Sequence, residues 1–379
     1  MDSPFVYTKP VAQEFFLGRQ REIDWLGTNL NNGQHSLIVE PARTGKQSFI
    51  NQAITQLQHH GAATKFCQLS LFNLRSFRDL ALQIALHATA AFANTLEDWK
   101  NICADLLPLN AEQVKINESG PHPPFLIFPA VLSKEQIQEL LELPERLCTH
   151  FQERRLVLHI QDFHNILLIE DFRPILTTCL KIWKSQHAVT YLLSGSKVNA
   201  IRDLRCHIST FDKIFEQVPL GPIEEKIFTD FIIKSFSKSG RVISRDLAEM
   251  AFRKTDGHPF YTQHLAHLCF INTKGYMNEA MFAQAYEDLL QVHHSEFCKL
   301  TNDLTDSQLA FLKAVTHGVE RFCTAEILEK YQLHSSANVN RVRTALEKKE
   351  ILTFYRNKPF FLDPIFKKWF VEKYLQESL

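Results

Sequence analysis

The segment SLIVEPARTGKQSFI, residues 36–50, constrains this chain more than any other stretch. Strand-type residues run into a loop that begins at Pro41, and the loop delivers Thr44-Gly45-Lys46 to the start of a helix. Strand, loop and helix with a Gly-Lys pair at the turn is the layout of a phosphate-binding loop. Backbone N–H groups at a helix N-terminus point at an anion, and a Lys ammonium there reaches the outer phosphates. The residues that would contact the nucleotide are Pro41, Ala42, Arg43, Thr44, Gly45, Lys46, Gln47 and Ser48. The pattern G-x-x-x-x-G-K-[ST] is met only in part, because Glu40 takes the first glycine position and Gln47 the position of the Mg²⁺-binding hydroxyl. The layout speaks for nucleotide binding, and these two positions speak against hydrolysis. Gly45-Lys46 alone would equally well open an ordinary helix.

The surrounding pattern favours the nucleotide. Residues 64–71, 155–160, 188–193 and 215–220 read as further strands. Helices are expected over 48–59, ending at Gly61, and over 76–95 and 167–186. Alternating strands and helices predict an α/β fold, a parallel sheet with helices on both faces, whose ligands bind at the carboxyl ends of the strands. Loop 41–48, Asp162 and Ser196 all fall at such ends. A carboxylate at Asp162 can serve Mg²⁺ or polarise an attacking water, and it is equally a common exit-turn residue. Ser196 can sense a γ-phosphate or cap the next helix. Ahead of the loop, Phe16-Leu17-Gly18-Arg19 leads into a helix with Ile23, Leu26 and Leu30 on one face. Gly18 would let backbone approach a base, and Arg19 would pair with phosphate or ribose. Residues 96–144 read as an insertion, with 110–119 polar and exposed and Gly120-Pro121-His122-Pro123-Pro124 a loop.

Beyond residue 222 strand signals nearly vanish. Helices are expected over 223–238, 244–254, 259–271 and 277–292, an all-α lid. Its turn Thr255-Asp256-Gly257-His258-Pro259 either sets Pro259 against the base or simply joins two helices. Residues 307–315, 324–331 and 337–349 read as three short helices, and 352–355 with 360–362 as a hairpin, together a winged helix-turn-helix. Arg341, Arg343 and Lys348 on the third helix and Arg356 and Lys358 on the wing form a basic patch suited to DNA phosphates. Winged helices also serve as protein-contact modules. The formal net charge is zero, so any nucleic-acid contact has to come from such a local patch. The expected domains are 1–222, 223–300 and 301–379.

Other function classes find no support. The eight cysteines are scattered without C-x-x-C, which fits free thiols in a reducing cytosol. The start MDSPFVYTKP has no apolar leader, and the apolar run 80–92 is shorter than the roughly 20 residues of a membrane span. A cytoplasmic protein without membrane partners is expected. No zinc spacing, H-E-x-x-H or G-x-S-x-G occurs, so no metal ligand set is assigned.

In this order the stretches resemble the archaeal-type P-loop ATPases of the AAA+/STAND group. The resemblance rests on Phe16-Leu17-Gly18-Arg19 with Glu22, Pro41 to Lys46, Gln161-Asp162-Phe163, Ser194-Gly195-Ser196, Thr255 to Tyr261, and Asp363-Pro364-Ile365-Phe366 with Trp369. It implies a RecA-like ATPase domain, a helical lid and a winged helix. It also implies ATP or ADP as ligand, Gly18, Arg19 and Pro259 flanking the adenine, and assembly in the ATP state. The chain departs from the family at Glu40, at Gln47, at Gln161-Asp162 where the family has Asp-Glu, and at Lys213 in place of an arginine. These losses converge on holding Mg²⁺ and activating water, where positioning and electrostatics do most of the catalysis. The expectation is a nucleotide-regulated switch or scaffold with weak or lost ATPase activity. The alternatives are an active Mg²⁺-dependent ATPase with Asp162 as base, and a DNA- or protein-binding module on a relic ATPase fold.

Overall fold

The computed structural model describes residues 3–59, 64–107, 115–117 and 125–377. Gly61, the polar stretch 110–114 and 118–119, and the loop 120–124 lie outside the described residues. The chain divides into two compact units. One comprises Gln20–Glu40 and Phe49–Leu220, and the other Met1–Arg19, Pro41–Ser48 and Gly221–Leu379.

The first unit is the α/β part. In chain order the elements are α1 (Gln20–Asn32), β1 (Ser36–Val39), α2 (Lys46–His59), β2 (Thr64–Ser70), α3 (Phe77–Phe92), α4 (Leu96–Asp105), a hairpin of β3 (Lys115–Asn117) and β4 (Phe125–Ile127), α5 (Lys134–His150), β5 (Arg155–Gln161), α6 (Phe172–Ser185), β6 (Val189–Gly195), α7 (Val198–His207) and β7 (Glu216–Gln217). The main sheet has the order β2-β5-β6-β1-β7, all parallel. Interior strands of such a sheet are covered on both faces, which is why β1 and β6 are buried at every residue and read as continuous apolar runs rather than alternating ones. Register pairs Val39 with Gly195 and Ile160 with Leu193, so β1, β5 and β6 end along one edge. A polar rung crosses the sheet interior, where fully buried His159 bonds Gln68 Oε1 at 3.2 Å and Ser194 Oγ at 2.8 Å.

Several expected elements differ in extent. Residues 96–144 are not an irregular insertion throughout. Helix α4 opens with a capping box formed by Thr95 and Asp98, and α5 with another formed by Ser133 and Gln136. Helix α5 carries Leu140, Leu141, Leu143 and Leu147 into the core, and Pro144 sits inside it, buried. That internal proline is what disguised the helix. The helix expected from 167 starts at Phe172, because Phe163–Leu168 form a 3₁₀ turn and Asp171 adopts φ 50°. Strand β7 is shorter than expected, since Pro219 has no N–H for a ladder, though Val218 N–H still reaches Leu37 O at 3.0 Å.

The second unit is mostly helical: α8 (Glu225–Lys238), α9 (Arg245–Lys254), α10 (Pro259–Asn272), α11 (Glu279–Asn302), α12 (Asp306–Thr316), α13 (Ala325–Lys330), α14 (Ser336–Lys348), β8 (Leu352–Tyr355), β9 (Lys358–Phe361) and α15 (Pro364–Trp369). Helix α11 runs past residue 292, its expected end, through Glu296. One apolar core extends from Phe5 through α8–α11 to Trp369 and Phe370 of the C-terminal part. Helix α10 is buried over most of its circumference, as a helix central to its unit must be. The wing is a two-residue hairpin, with Arg356 at φ 49° and Asn357 at φ 65°, the left-handed pair a type I′ turn demands. No helix among the described residues is long and apolar enough to cross a membrane.

Candidate phosphate-binding site

The loop Pro41–Ser48 belongs to the helical unit, together with Gly18, Arg19 and Pro259. The loop residues and those expected to flank the base therefore fall in one compact body. Asp162 and Ser196 fall in the other.

Helix α2 begins at Lys46, so the lysine occupies the first helical residue rather than preceding the helix. Gly45, at φ 86°, makes the turn into it, a conformation that costs a residue with a Cβ about 1–2 kcal/mol. A Cβ on Gly45 would also lie 3.4 Å from Arg19 Nη1. The loop is closed on its own carbonyls. Lys46 Nζ donates to Pro41 O at 2.6 Å, and Thr44 Oγ1 donates to the same oxygen at 2.9 Å. Arg19, itself at φ 61°, donates from Nη1 to Thr44 O and from Nε to Gly221 O, both at 2.9 Å. Two cations are thus anchored to the turn that opens α2. Gly18 lies beside apolar side chains, since a Cβ there would stand 3.7 Å from Ile223 Cγ2 and 3.8 Å from Ile227 Cδ1.

Glu40 and Ser48, at the two ends of the loop, both accept from backbone N–H groups. The Glu40 carboxylate accepts from Leu220 N–H at 3.1 Å. Ser48, buried, accepts from Val11 N–H at 3.0 Å. His258 carries the imprint of the loop's charge. Burial lowers its pKa to about 4, and Arg43, Arg19 and Lys46 push the same way, against a hydrogen bond with the Ala42 backbone. A ring in that field stays neutral at pH 7.

Arg43 leaves the loop at φ 64° and turns to the helical core. It pairs with Glu296 of α11 at 3.1 Å, lies 4.9 Å over the Phe260 ring and donates to Tyr261 Oη at 3.3 Å. Tyr261 Oη donates in turn to Asp363 Oδ2 at 2.5 Å, and Asp363 Oδ1 caps α15 by accepting from Ile365 and Phe366 N–H at 2.9 Å. Tyr261 and Asp363 stand within the sequence motifs without an assigned role, and the helix expected over 277–292 stops short of Glu296. The Asp363-Pro364 pair is an N-cap followed by an N1 proline, a legible helix start.

In the α/β unit, Asp162 stands at the end of β5 at φ 52° and accepts from Ser70 Oγ at 2.9 Å. Ser196 follows β6, and the helix-capping alternative is not realised at the N-cap, which is Lys197 without a side-chain cap bond. In the winged helix, Arg343 lies 3.9 Å over Phe354 and donates to Asn357, while Lys358 pairs with Glu320 at 2.7 Å. Arg341, Lys348 and Arg356 are exposed. Among the described residues no group of His, Cys, Asp and Glu is placed to hold a metal ion.

A family described as a probable winged helix domain matches residues 295–372. No curated protein matches the chain. Among solved structures, the Walker-type ATPase PABY2304 of Pyrococcus abyssi is similar, with a TM-score of 0.66 and 15% identity over 96% of this chain and 98% of that one. The ORC2 protein of Aeropyrum pernix, solved as ADPNP–ADP complexes, gives 0.55 and 12% identity over 94% of each chain. The chain thus has the fold of the P-loop ATPases it resembles, a five-stranded parallel sheet with helices followed by a mostly helical region that ends in a winged helix domain.

Proposed function

We propose that the chain is an ATP- or ADP-binding switch or scaffold in which hydrolysis is weak or lost. The observation that carries this reading is the pair of cations, Arg19 and Lys46, anchored to one loop turn at the start of α2. A helix N-terminus with fixed positive groups suits the phosphates of a nucleotide. Gly18 with Ile223 and Ile227 offers apolar surface for a base, with Pro259 opening the next helix wall. The nucleotide complexes of the Aeropyrum pernix ORC2 protein support a nucleotide for a chain of this fold. The donor set suits Mg²⁺ poorly. Gln47 offers a neutral amide at the hydroxyl position, and the Ser48 hydroxyl and one Glu40 carboxylate oxygen each accept from a backbone N–H. Mg²⁺ demands near-octahedral oxygen ligation and gives up its waters reluctantly.

Binding of labelled ATP and ADP, with Mg²⁺ and with EDTA, tests the proposal. Affinities are expected to agree within about twofold with and without the metal, and turnover to stay near background. Lys46→Ala removes a charge-assisted hydrogen bond worth about 1.5–3 kcal/mol and is expected to weaken binding by roughly 10- to 150-fold. Robust Mg²⁺-dependent hydrolysis that Asp162→Asn abolishes would establish the active ATPase instead. Loss of all binding would leave a relic loop.

A second reading, DNA at the winged helix, is favoured by the exposure of Arg341, Lys348 and Arg356 and opposed by the intramolecular engagement of Arg343 and Lys358. If DNA binds, affinity falls with salt, and Arg341→Ala with Arg356→Ala lowers the slope by about one for each phosphate pairing removed. Salt-insensitive association would point to a protein partner. The free cysteines fit a reducing compartment, and we place the protein in the cytoplasm.

A further inference from the structure

We propose that Arg43 is a latch that reports phosphate occupancy of loop 41–46 to the winged helix. This inference rests on the nucleotide reading above. Arg43 stands between Pro41 and Lys46, inside the segment that would face the phosphates, yet its guanidinium is spent outward. Glu296 holds it through bonds of 3.1 and 3.2 Å, and Tyr261 accepts a further one at 3.3 Å. Glu296 and Tyr261 take both Nη groups of Arg43, so a phosphate that engages the same Nη groups competes with them. The loop arginine thus has two competing partners for its Nη groups, an acidic residue of α11 and an anion.

The outward partner leads somewhere. Tyr261 is fully buried on α10, and its hydroxyl passes the contact on to Asp363, whose other carboxylate oxygen caps α15. Helix α15 is also tied directly to α11, because Trp369 Nε1 donates to His294 Nδ1 at 3.1 Å. Charge makes the chain one piece. The Asp363 carboxyl is pushed up by burial, and its bond from Tyr261, its two backbone N–H bonds and the charge of Arg43 pull the other way. Removing the guanidinium therefore removes one of the forces that keep Asp363 ionised and capping. An anion that draws Arg43 into the loop weakens the cap of α15, and by reciprocity anything that loosens α15 favours the anion.

Hydrogen exchange at the amides of Ile365 and Phe366, read beside nucleotide affinity, tests the latch. In the wild-type protein, saturating ADP is expected to speed exchange at these amides by about five- to tenfold, within the span of allosteric couplings. Glu296→Gln is expected to tighten ADP binding by a similar factor. In Tyr261→Phe the relay is cut, so ADP binds without changing exchange at 365–366. The apo protein separates this proposal from the one it rests on. Arg43→Ala, a substitution at an exposed residue, is expected to speed the same exchange with no nucleotide present. If it does so while ADP fails to bind, the relay stands and the nucleotide reading falls. Unchanged exchange at 365–366 in Arg43→Ala, or in wild type with ADP demonstrably bound, overturns the latch.

Discussion

Gly257→Ala is expected to destabilise the helical unit by about 3 kcal/mol, a sum of two independent costs. Helix α9 ends at Lys254 in a pair of bonds, Asp256 N–H to Arg253 O at 3.2 Å and Gly257 N–H to Phe252 O at 2.8 Å. That is the Schellman arrangement, and it places Asp256 at φ 49° and Gly257 at φ 65°. A left-handed residue with a Cβ costs about 1–2 kcal/mol. The new methyl would also meet the Phe252 ring, 2.4 Å from Cζ and 2.7 Å from Cε2. Phe252 packs against the helical core, so the ring gives way only by disturbing that packing, at about 1–3 kcal/mol. For a body of this size, about 3 kcal/mol lowers the melting temperature by about 6–12 °C. Thermal unfolding monitored by circular dichroism reads it directly. A shift under about 2 °C would mean the turn relaxes.

That turn also shows how much the sequence discloses. Thr255-Asp256-Gly257-His258-Pro259 is legible because helix stops and starts use residues with fixed backbone preferences, and the structure puts a helix end and a proline-initiated helix there. The parallel sheet was legible for a similar reason, since β1, β5 and β6 are long apolar runs bounded by turns. Helix α5 was not, because Pro144 breaks the expected pattern and only its capping box marks its start. The site was legible at Gly45 and Lys46, whose chemistry is local. It was not legible at Arg43, whose partners Glu296, Tyr261 and Asp363 lie hundreds of residues along the chain and meet it only through packing. Nor did spacing reveal that Ser48 serves Val11 N–H or that Glu40 serves Leu220 N–H. Hydrogen bonds between distant segments leave no periodic trace in a single sequence.

Buried histidines supply the second large effect. Lowering the pH from 7 to 4.5 is expected to destabilise both units. His159 lies in the sheet interior and His264 under Tyr7, whose ring stacks on it at 4.2 Å. Burial lowers the first to about 3 and the second to about 4, the latter with help from the neighbouring His293, His267 and Arg43. The unfolded chain titrates both near 6.5. Between 6.5 and the folded values the unfolded state therefore binds more protons, so stability is complete above pH 6.5 and falls as the pH drops through that window. Two pH units below 6.5, each histidine costs its unit about 2–3 kcal/mol. Asp98, Glu320 and Glu377, whose pKa values are lowered, lose their contributions below this window, and Asp363, raised by burial, is relieved rather than penalised by acid. The histidines dominate the slope between pH 6.5 and 4.5, and Asp363 opposes them. His264→Phe keeps an aromatic ring against Tyr7, removes one titration, and is expected to make the acid slope of the helical unit shallower, with His258, His267 and His293 supplying the remainder, while leaving that of the α/β unit in place. A melting temperature independent of pH across the window would show that water reaches these rings in the folded state, and that the polar rung Gln68–His159–Ser194 opens without unfolding the sheet.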